Sequence, residues 1–231
     1  MKYGIFDIMG PIMIGPSSSH TAGAVKIAHT ALYIGGEDFS SVEFILDGSF
    51  AETYRGHGTD KALLAGIMGF MEDDERIRDA YEIAEERGLN YEFREEDLNT
   101  TYANVAKIIL RYDSPDKETM EIIGASIGGG NIRIISINGV DVVVDSKYPV
   151  LIMRYEEQTG VIAKVSSVLA SHGYSIHSVK TVRGEQEVTL IINLYDEISK
   201  EVEEEIREIE CLIDVKYIHG YRRGIDEIQG R

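Results

Sequence analysis

Residues 150–218 alternate between strand and helix patterns, and this alternation constrains the fold more than any other feature of the 231-residue chain. The apolar run at 150–155 is typical of a buried strand, and the apolar spacing after Gly160 predicts a helix over 161–172. The remaining pattern predicts strands at 174–183, 187–195 and 212–218, and a helix over 199–210 capped by Ser199. The order βαββαβ is typical of a ferredoxin-like domain.

The first half of the chain predicts a second domain, of mixed α/β type. A helix is expected over 21–34 and a strand over 42–47, whereas Gly48 to Gly58 is expected to form a loop. The pattern then predicts a helix from 59 to about 70, an acidic helix that ends near 87, strands at 104–112, 118–125, 131–137 and 140–145, and a hairpin turn at Asn138-Gly139. We expect an α+β protein with domains at 1–146 and 150–222, separated near Pro149.

The chain is strongly acidic, with a formal net charge of −17. Most of this charge lies in residues 71–98, at net −8, and in residues 195–210, at net −6. Two solvated helix faces explain both segments, and a surface for a basic partner is the alternative. The charge argues against binding to nucleic acid or to an anionic membrane, and no apolar run approaches a membrane span. Asp7 interrupts the segment where a signal peptide is apolar, so a cytoplasmic protein is expected.

The single cysteine, Cys211, limits the metal chemistry of the chain. It allows no internal disulfide, and an iron–sulfur cluster usually needs three or four thiolates. The six histidines show neither HExxH nor another paired metal-binding spacing, so no metal site is expected. If a cluster takes part in the function, another chain must hold it.

The most unusual stretch of the sequence is Gly15-Pro16-Ser17-Ser18-Ser19-His20-Thr21. It stands at the predicted start of a helix, where free backbone N–H groups favour an anion such as a carboxylate or a phosphate. It lacks the lysine of a phosphate-binding loop, and it is not a GxSxG nucleophile elbow. A helix cap with spare serines is the alternative, but three serines and a histidine exceed what capping needs.

The second candidate is Gly56-His57-Gly58-Thr59-Asp60. Glycines on both sides of His57 allow the backbone to approach a ligand, and the imidazole can act as acid, base or donor near neutral pH. The alternatives are a surface loop for His57 and capping of the next helix by Thr59 or Asp60.

Two glycine-containing turns are weaker candidates. Ser126-Ile127-Gly128-Gly129-Gly130 lies between two predicted strands, where a tight turn is the commoner explanation for the glycines. Glu157-Gln158-Thr159-Gly160 precedes the first helix of the second domain, where backbone groups could hold a small ligand; an ordinary strand-to-helix turn is the alternative.

These motifs, together with Asp47-Gly48-Ser49-Phe50, occur in the same order in iron–sulfur L-serine dehydratases, and the chain resembles the beta subunit of the two-chain enzymes. The resemblance covers essentially the whole sequence. The first half resembles the allosteric substrate-binding domain of some phosphoglycerate dehydrogenases. The second half resembles an ACT domain, a ferredoxin-like module that commonly binds amino acids at subunit interfaces.

The resemblance implies conversion of L-serine to pyruvate and ammonia, with a 4Fe-4S cluster held by the cysteines of an alpha subunit. An open iron of that cluster would act as Lewis acid on the leaving hydroxyl. His57 and His20 would be catalytic. Substrate-binding residues would be Ser17, Ser18, Ser19, Thr21, Thr59, Asp60, Asn104, Gly128 and Gly129. A regulatory ligand would contact Thr159, Gly160 and Val161, and the ACT domain could form a dimer.

Two departures from the family pattern bear on these roles. Many members carry His-Pro-Asn where this chain has Tyr102-Ala103-Asn104, so the histidine is replaced by tyrosine. The usual ACT turn Asp-x-Pro-Gly is here Glu157-Gln158-Thr159-Gly160. A non-catalytic amino-acid-binding regulatory protein built from the same two modules is therefore the alternative function. A self-sufficient hydrolase or transferase is disfavoured, because no complete set of nucleophile, base and orienting group is visible.

Overall fold

The structure, a computed structural model, describes residues 13–115, 117–145, 148–184 and 187–220. The predicted domain ends at residues 1, 146 and 222 lie outside these ranges. The chain divides into two compact units, Met1–Val143 and Val144–Arg231. Each unit is a mixed α/β structure with its own sheet.

The first unit is built on a six-stranded sheet. Its strands are β1 (Ser41–Gly48), β2 (Asn90–Glu95), β3 (Asn104–Arg111), β4 (Met120–Gly128), β5 (Asn131–Ile137) and β6 (Val140–Asp145). They lie in the order β2-β1-β3-β4-β5-β6, in which β1 and β2 are parallel, while β1 with β3, β3 with β4 and β4 with β5 are antiparallel. The turn between β5 and β6 has positive φ at Asn138 and Gly139, as the Asn-Gly pair predicts for a tight hairpin.

Helices pack against this sheet. A π-helical turn (Ser18–Ala22) runs directly into α1 (Gly23–Gly35), and α2 (Ser49–His57) and α3 (Thr59–Ile67) follow β1. A 3₁₀ turn (Glu75–Asp79) leads into α4 (Ala80–Glu86). Helix α1 packs on α3 and on β4, and the two helices approach closely because Gly66 has no side chain: a Cβ there would lie 2.3 Å from the Val25 carbonyl oxygen.

Two predictions for the first unit are wrong in an instructive way. The expected loop at 48–58 is largely helix α2, whose Phe50 is fully buried against the sheet. The acidic segment 71–98 is not only helix, because residues 90–95 form the parallel edge strand β2. In both places tertiary packing decided the structure against the local signals of glycine and charge.

The second unit has the predicted order of elements. It contains β7 (Val150–Glu156), α5 (Val161–Ser171), β8 (Ile176–Arg183), β9 (Glu187–Leu194), α6 (Lys200–Arg207) and β10 (Asp214–Ile218). The antiparallel sheet has the order β10-β7-β9-β8, and α6 is capped by the Ser199 hydroxyl as expected. Apolar residues from the sheet and from both helices form one core, and Leu169 and Ile206 are fully buried in it.

Candidate functional site

The serine-rich stretch forms the π-helical turn that precedes α1. Ser17 is the N-cap: its Oγ accepts from the His20 backbone N–H at 3.2 Å, and its carbonyl accepts from the Thr21 N–H at 2.8 Å. The Gly23 N–H donates five residues back, to the Ser18 carbonyl oxygen, which defines the wider π turn. Such turns are frequent at functional sites because they re-aim side chains.

Hydroxyl groups hold the His20 imidazole from both sides. Nδ1 lies 3.1 Å from Ser19 Oγ and 3.3 Å from Ser17 Oγ, and Nε2 lies 3.0 Å from Ser49 Oγ. The fully buried Phe50 ring lies edge-on to the imidazole, with ring centroids 5.4 Å apart. The His20 ring is therefore fixed by contacts from two separate segments of the chain.

His57 at the end of α2 lies beside His20. The two ring centroids are 4.7 Å apart at an interplanar angle of 43°. The Thr21 hydroxyl donates to the His57 carbonyl oxygen at 3.3 Å, which ties the end of α2 to the serine-rich turn. Gly58 then takes a left-handed conformation (φ 68°), so that α3 begins at Thr59 in a new direction.

The environment keeps His20 neutral. Burial lowers the pKa of His20 below its ordinary value of 6.5, and the neighbouring His57 lowers it further, because two cations at this separation repel. A hydrogen bond to the Ser49 backbone has the opposite, weaker effect. At neutral pH the ring is therefore an unprotonated imidazole, with one N–H and one nitrogen lone pair.

Four buried polar atoms around the two histidines have no hydrogen-bond partner within the described residues. They are His57 Nδ1, Thr59 Oγ1, Asn104 Oδ1 and Ser126 Oγ. Thr59 is fully buried and Ser126 is 4% exposed. Buried polar atoms are rarely left unpaired, so this group indicates a place for a polar ligand.

Strand pairing explains why Asn104 and Ser126 meet. Val105 pairs with Ala125 in an antiparallel ladder, so Asn104, one residue before Val105, and Ser126, one residue after Ala125, are neighbours. Asn104 also pairs with Gly48, next to Ser49. Ser126 lies against the start of α1, where a Cβ on Gly23 would be 2.2 Å from its Oγ. Sequence reasoning included Asn104 but missed Ser49 and Ser126, whose motifs were noted without a role for either serine.

The predicted site residue Asp60 is hydrogen-bonded through both of its carboxylate oxygens. Its Oδ2 accepts from the Tyr81 hydroxyl at 2.7 Å, and its Oδ1 accepts from the Lys61 N–H at 2.8 Å. Burial, followed by the bond to Asp60, raises the pKa of the Tyr81 phenol. In the described part of the chain no carboxylate hydrogen-bonds to His20 or His57, and substrate binding by Asp60 stays a prediction.

The glycines at 128–130 form the turn between β4 and β5. All three have positive φ, and Gly128 pairs with Asn131, which leaves Gly129 and Gly130 as a two-residue hairpin turn. The Gly130 carbonyl oxygen accepts from Lys26 Nζ at 3.0 Å. The turn alone explains the glycines, and substrate binding by Gly128 and Gly129 stays a prediction.

A groove of about 720 Å³ runs along α2 and is lined by residues 51–57 and Glu95. His57 is among its lining residues, so the groove gives solvent access to this member of the histidine pair.

The predicted regulatory turn belongs to the second unit. Thr159 is exposed, Gly160 has a φ of 88°, and Val161 at the start of α5 is buried in the core of that unit. The turn is flanked by an ion pair between Glu157 and Arg183 at 2.9 Å. A ligand at this turn would meet the Thr159 side chain and backbone groups rather than the Val161 side chain.

Neither a metal-binding cluster nor a membrane-spanning helix occurs in the described residues. Within them no group of three or more histidine, cysteine, aspartate or glutamate side chains could hold a metal ion. The partly buried Cys211 belongs to the second unit. None of the helices in this part of the chain is long and apolar enough to cross a membrane.

Fold and candidate site together define a class: a mixed α/β protein with two sheets and a cluster of two histidines and serine hydroxyls. Comparison with known proteins narrows the class. The family model described as serine dehydratase beta chain matches residues 4–92. The L-serine dehydratase beta chain of Peptoniphilus asaccharolyticus is 44% identical, over 94% of this chain and 98% of its own length. The chain belongs to the L-serine dehydratase beta-chain family.

Two further comparisons concern a second relative and a solved structure. The probable L-serine dehydratase beta chain of Bacillus subtilis is 38% identical, over 94% of this chain and 99% of its own length. Among solved structures, the ACT domain from a GTP pyrophosphokinase of Chlorobium tepidum covers 31% of this chain and 96% of its own, with 9% identity and a TM-score of 0.27. A similarity of that size supports no conclusion about the second unit.

Proposed function

We propose that this chain is the beta subunit of a heteromeric L-serine dehydratase, which converts L-serine to pyruvate and ammonia. Two relatives named as L-serine dehydratase beta chains, one of them as probable, are 44% and 38% identical to it over nearly their whole length. The observation that carries the proposal is the group of unpaired buried polar atoms around His20 and His57, because a polar substrate would supply the missing partners.

The reaction requires a base at the α-carbon and help for a poor leaving group. Loss of the α-proton and of the β-hydroxide from L-serine gives 2-aminoacrylate and water. The enamine takes up a proton at its β-carbon to become an imine, which water hydrolyses to pyruvate and ammonia. A base that is unprotonated at physiological pH is therefore required close to bound serine.

The histidine pair suits the proton transfer. His20 is neutral at pH 7 because burial and His57 lower its pKa, and its ring is held by hydroxyls on both nitrogens. The nearby carboxylate of Asp60 is engaged by Tyr81 and by the Lys61 N–H. The α-proton base on this chain is therefore one of the two histidines.

The other groups match the ends of an amino acid. The hydroxyl of Ser18, which makes no hydrogen bond within the described residues, is a donor for a carboxylate next to the start of a helical run. Asn104 Oδ1 can only accept a hydrogen bond, and Thr59 Oγ1 can accept one, so both suit the ammonium group of serine.

The 4Fe-4S cluster of the proposed enzyme belongs on the alpha subunit. This chain has one cysteine, and its described residues include no group able to hold a metal ion, so its donor set does not fit a cluster. On its partner the cluster would supply a Lewis acid for the leaving hydroxyl. This chain would bind and orient serine beside it.

The second unit is proposed to be an ACT domain. Its βαββαβ order and its sheet order β10-β7-β9-β8 support a ferredoxin-like module. The exposed strand β8 at the edge of this sheet offers a surface for pairing with a second copy. Thr159 and Gly160 are the proposed contacts for a regulatory amino acid.

A non-catalytic amino-acid sensor is the second candidate function, and one observation favours it. Tyr102 stands where many family members have a histidine, and its hydroxyl accepts from Arg133 Nη1 at 3.2 Å, so the phenol is held in a structural contact. Serine binding without turnover in the assembled complex would support the sensor.

Substitutions in the assembled enzyme test the catalytic proposal. His57→Ala and His20→Ala should each lower kcat by about 10²-fold or more, as expected for loss of acid–base groups. His172→Ala is the matched control, because this exposed histidine of the second unit pairs only with Glu205 in the described structure. Anaerobic pyruvate release on L-serine is the measurement, and wild-type kcat in both site variants would exclude the histidine pair from the reaction.

A further inference from the structure

Ser49 has a hydroxyl that its own helix does not use. Serines at helix starts commonly cap the first turn, but the capping position of α2 is Gly48, and the turn has no side-chain cap bond. The Ser49 Oγ instead lies 3.0 Å from Nε2 of His20, 29 residues earlier in the chain. The hydroxyl therefore serves the histidine and not the helix.

The backbone holds Ser49 in this place. Gly48 has a φ of 61°, a conformation that favours glycine, and a Cβ there would lie 2.5 Å from the Ala103 carbonyl oxygen. That carbonyl oxygen accepts from the Ser49 N–H at 2.8 Å. The next residue, Phe50, is fully buried and lies against the His20 ring. The end of β1, the start of α2 and the buried Phe50 ring together direct the Ser49 hydroxyl toward Nε2 of His20.

A hydroxyl in this position suits a base that gains and loses a proton. A neutral imidazole has one N–H and one lone pair, whereas a protonated imidazole has two N–H donors. A serine hydroxyl rotates and can donate or accept, so Ser49 can pair with Nε2 in either state while the ring stays in place. Ser19 and Ser17 do the same for Nδ1.

We propose that Ser49 is a positioning residue of the site, which holds the His20 ring in place by pairing with Nε2 in both protonation states of the imidazole. The inference rests on the proposed function, because it assigns His20 a proton-transfer role. Its physical part, the coupling of the Ser49 hydroxyl to the His20 ring, stands on geometry alone.

The test compares Ser49→Ala and Ser49→Thr with Ser40→Ala. Ser40 lies just before β1, and its hydroxyl donates to the Arg111 carbonyl oxygen at 3.1 Å, away from both histidines. In the assembled enzyme Ser49→Ala should lower kcat about tenfold, with KM for L-serine within about twofold and a displaced acid limb of the pH profile. Ser49→Thr should restore most of kcat, and Ser40→Ala should match wild type.

A second measurement separates this inference from the proposed function. Nitrogen-15 chemical shifts of the His20 ring in the full chain report which nitrogen is protonated, without any turnover. Ser49→Ala should change both ring shifts, whereas Ser49→Thr and Ser40→Ala should not. Unchanged His20 shifts in Ser49→Ala, or a raised KM with wild-type kcat, would overturn the proposal. Changed shifts in a complex that makes no pyruvate would sink the dehydratase function and leave the coupling intact.

Discussion

At the scale of single residues, the site is defined by polar groups that the fold leaves without partners. Ser17, Ser19 and Ser49 enclose one histidine, while His57 keeps a buried Nδ1 with no partner among the described residues. Burying such groups costs free energy unless a partner arrives. On the proposed function, bound L-serine supplies such a partner.

The first prediction concerns the electrostatic coupling of the two rings. His57→Gln should raise the pKa of His20, because the substitution removes a neighbouring charge that lowers it. A proton NMR titration of His20 in the full chain measures the change, with His172→Gln as control. An unchanged or lower pKa of His20 would show that burial alone sets it.

At the scale of elements, the site depends on the junction between β1 and α2. Gly48 and Gly58 stand at the two ends of α2, and both have positive φ. Only at Gly48 would a Cβ collide with another part of the backbone, the Ala103 carbonyl oxygen. The glycines at both ends made this segment resemble a loop in sequence. The burial of Phe50 against the sheet makes it a helix, and that contact is visible only in three dimensions.

The second prediction compares the two glycines. Gly58→Ala should lower the free energy of unfolding by about 1–2 kcal/mol, the cost of a left-handed alanine. Gly48→Ala should cost at least about 1 kcal/mol more, because its Cβ would also meet the Ala103 carbonyl oxygen. Chemical denaturation followed by circular dichroism measures both. Equal losses would show that the junction relaxes to accept the methyl group.

Pattern reasoning had mixed success with the other elements, for physical reasons. The second unit followed its periodicity closely because each element buries one apolar face in a local core. The acidic residues around β2 favour a solvated helix face, so the strand was not predicted. Tyr91 and Phe93 nevertheless alternate with charged residues, as a strand requires. The serine and histidine motifs were found by their composition. Ser126 was passed over as a site residue because only strand pairing places it beside Asn104.

At the scale of the whole molecule, buried titratable groups make stability depend on pH. Burial lowers the pKa of His29 below 6.5, against a weaker raising effect of Glu72, and the pKa of His20 is lowered as well. Between the folded pKa and 6.5 the unfolded chain binds more protons than the folded chain. The contribution of these two histidines to the free energy of unfolding is therefore fully present above about pH 6.5. It is lost as the pH drops through this window.

The third prediction follows from the direction of this pH dependence of stability. The free energy of unfolding should fall between pH 7.5 and pH 5.5, and His29→Gln should make the fall smaller. Glu43 does not contribute to the change in the free energy of unfolding over this pH range. Arg111 and Arg94 hold the pKa of its carboxyl below its ordinary 4.5, outside the range. Urea denaturation at the two pH values is the measurement. A slope unchanged by His29→Gln would show that other groups carry the pH dependence.

On the proposed function, this chain supplies part of a serine-dehydrating site and needs a cluster-bearing partner. The most direct measurement is pyruvate release from L-serine under anaerobic conditions, by the chain alone and after co-expression with the alpha chain of the same organism. We expect no pyruvate from the chain alone and sustained release from the complex, lost on exposure to oxygen. Full activity of the chain without a partner, or an assembled complex that binds serine and releases no pyruvate, would contradict the claim.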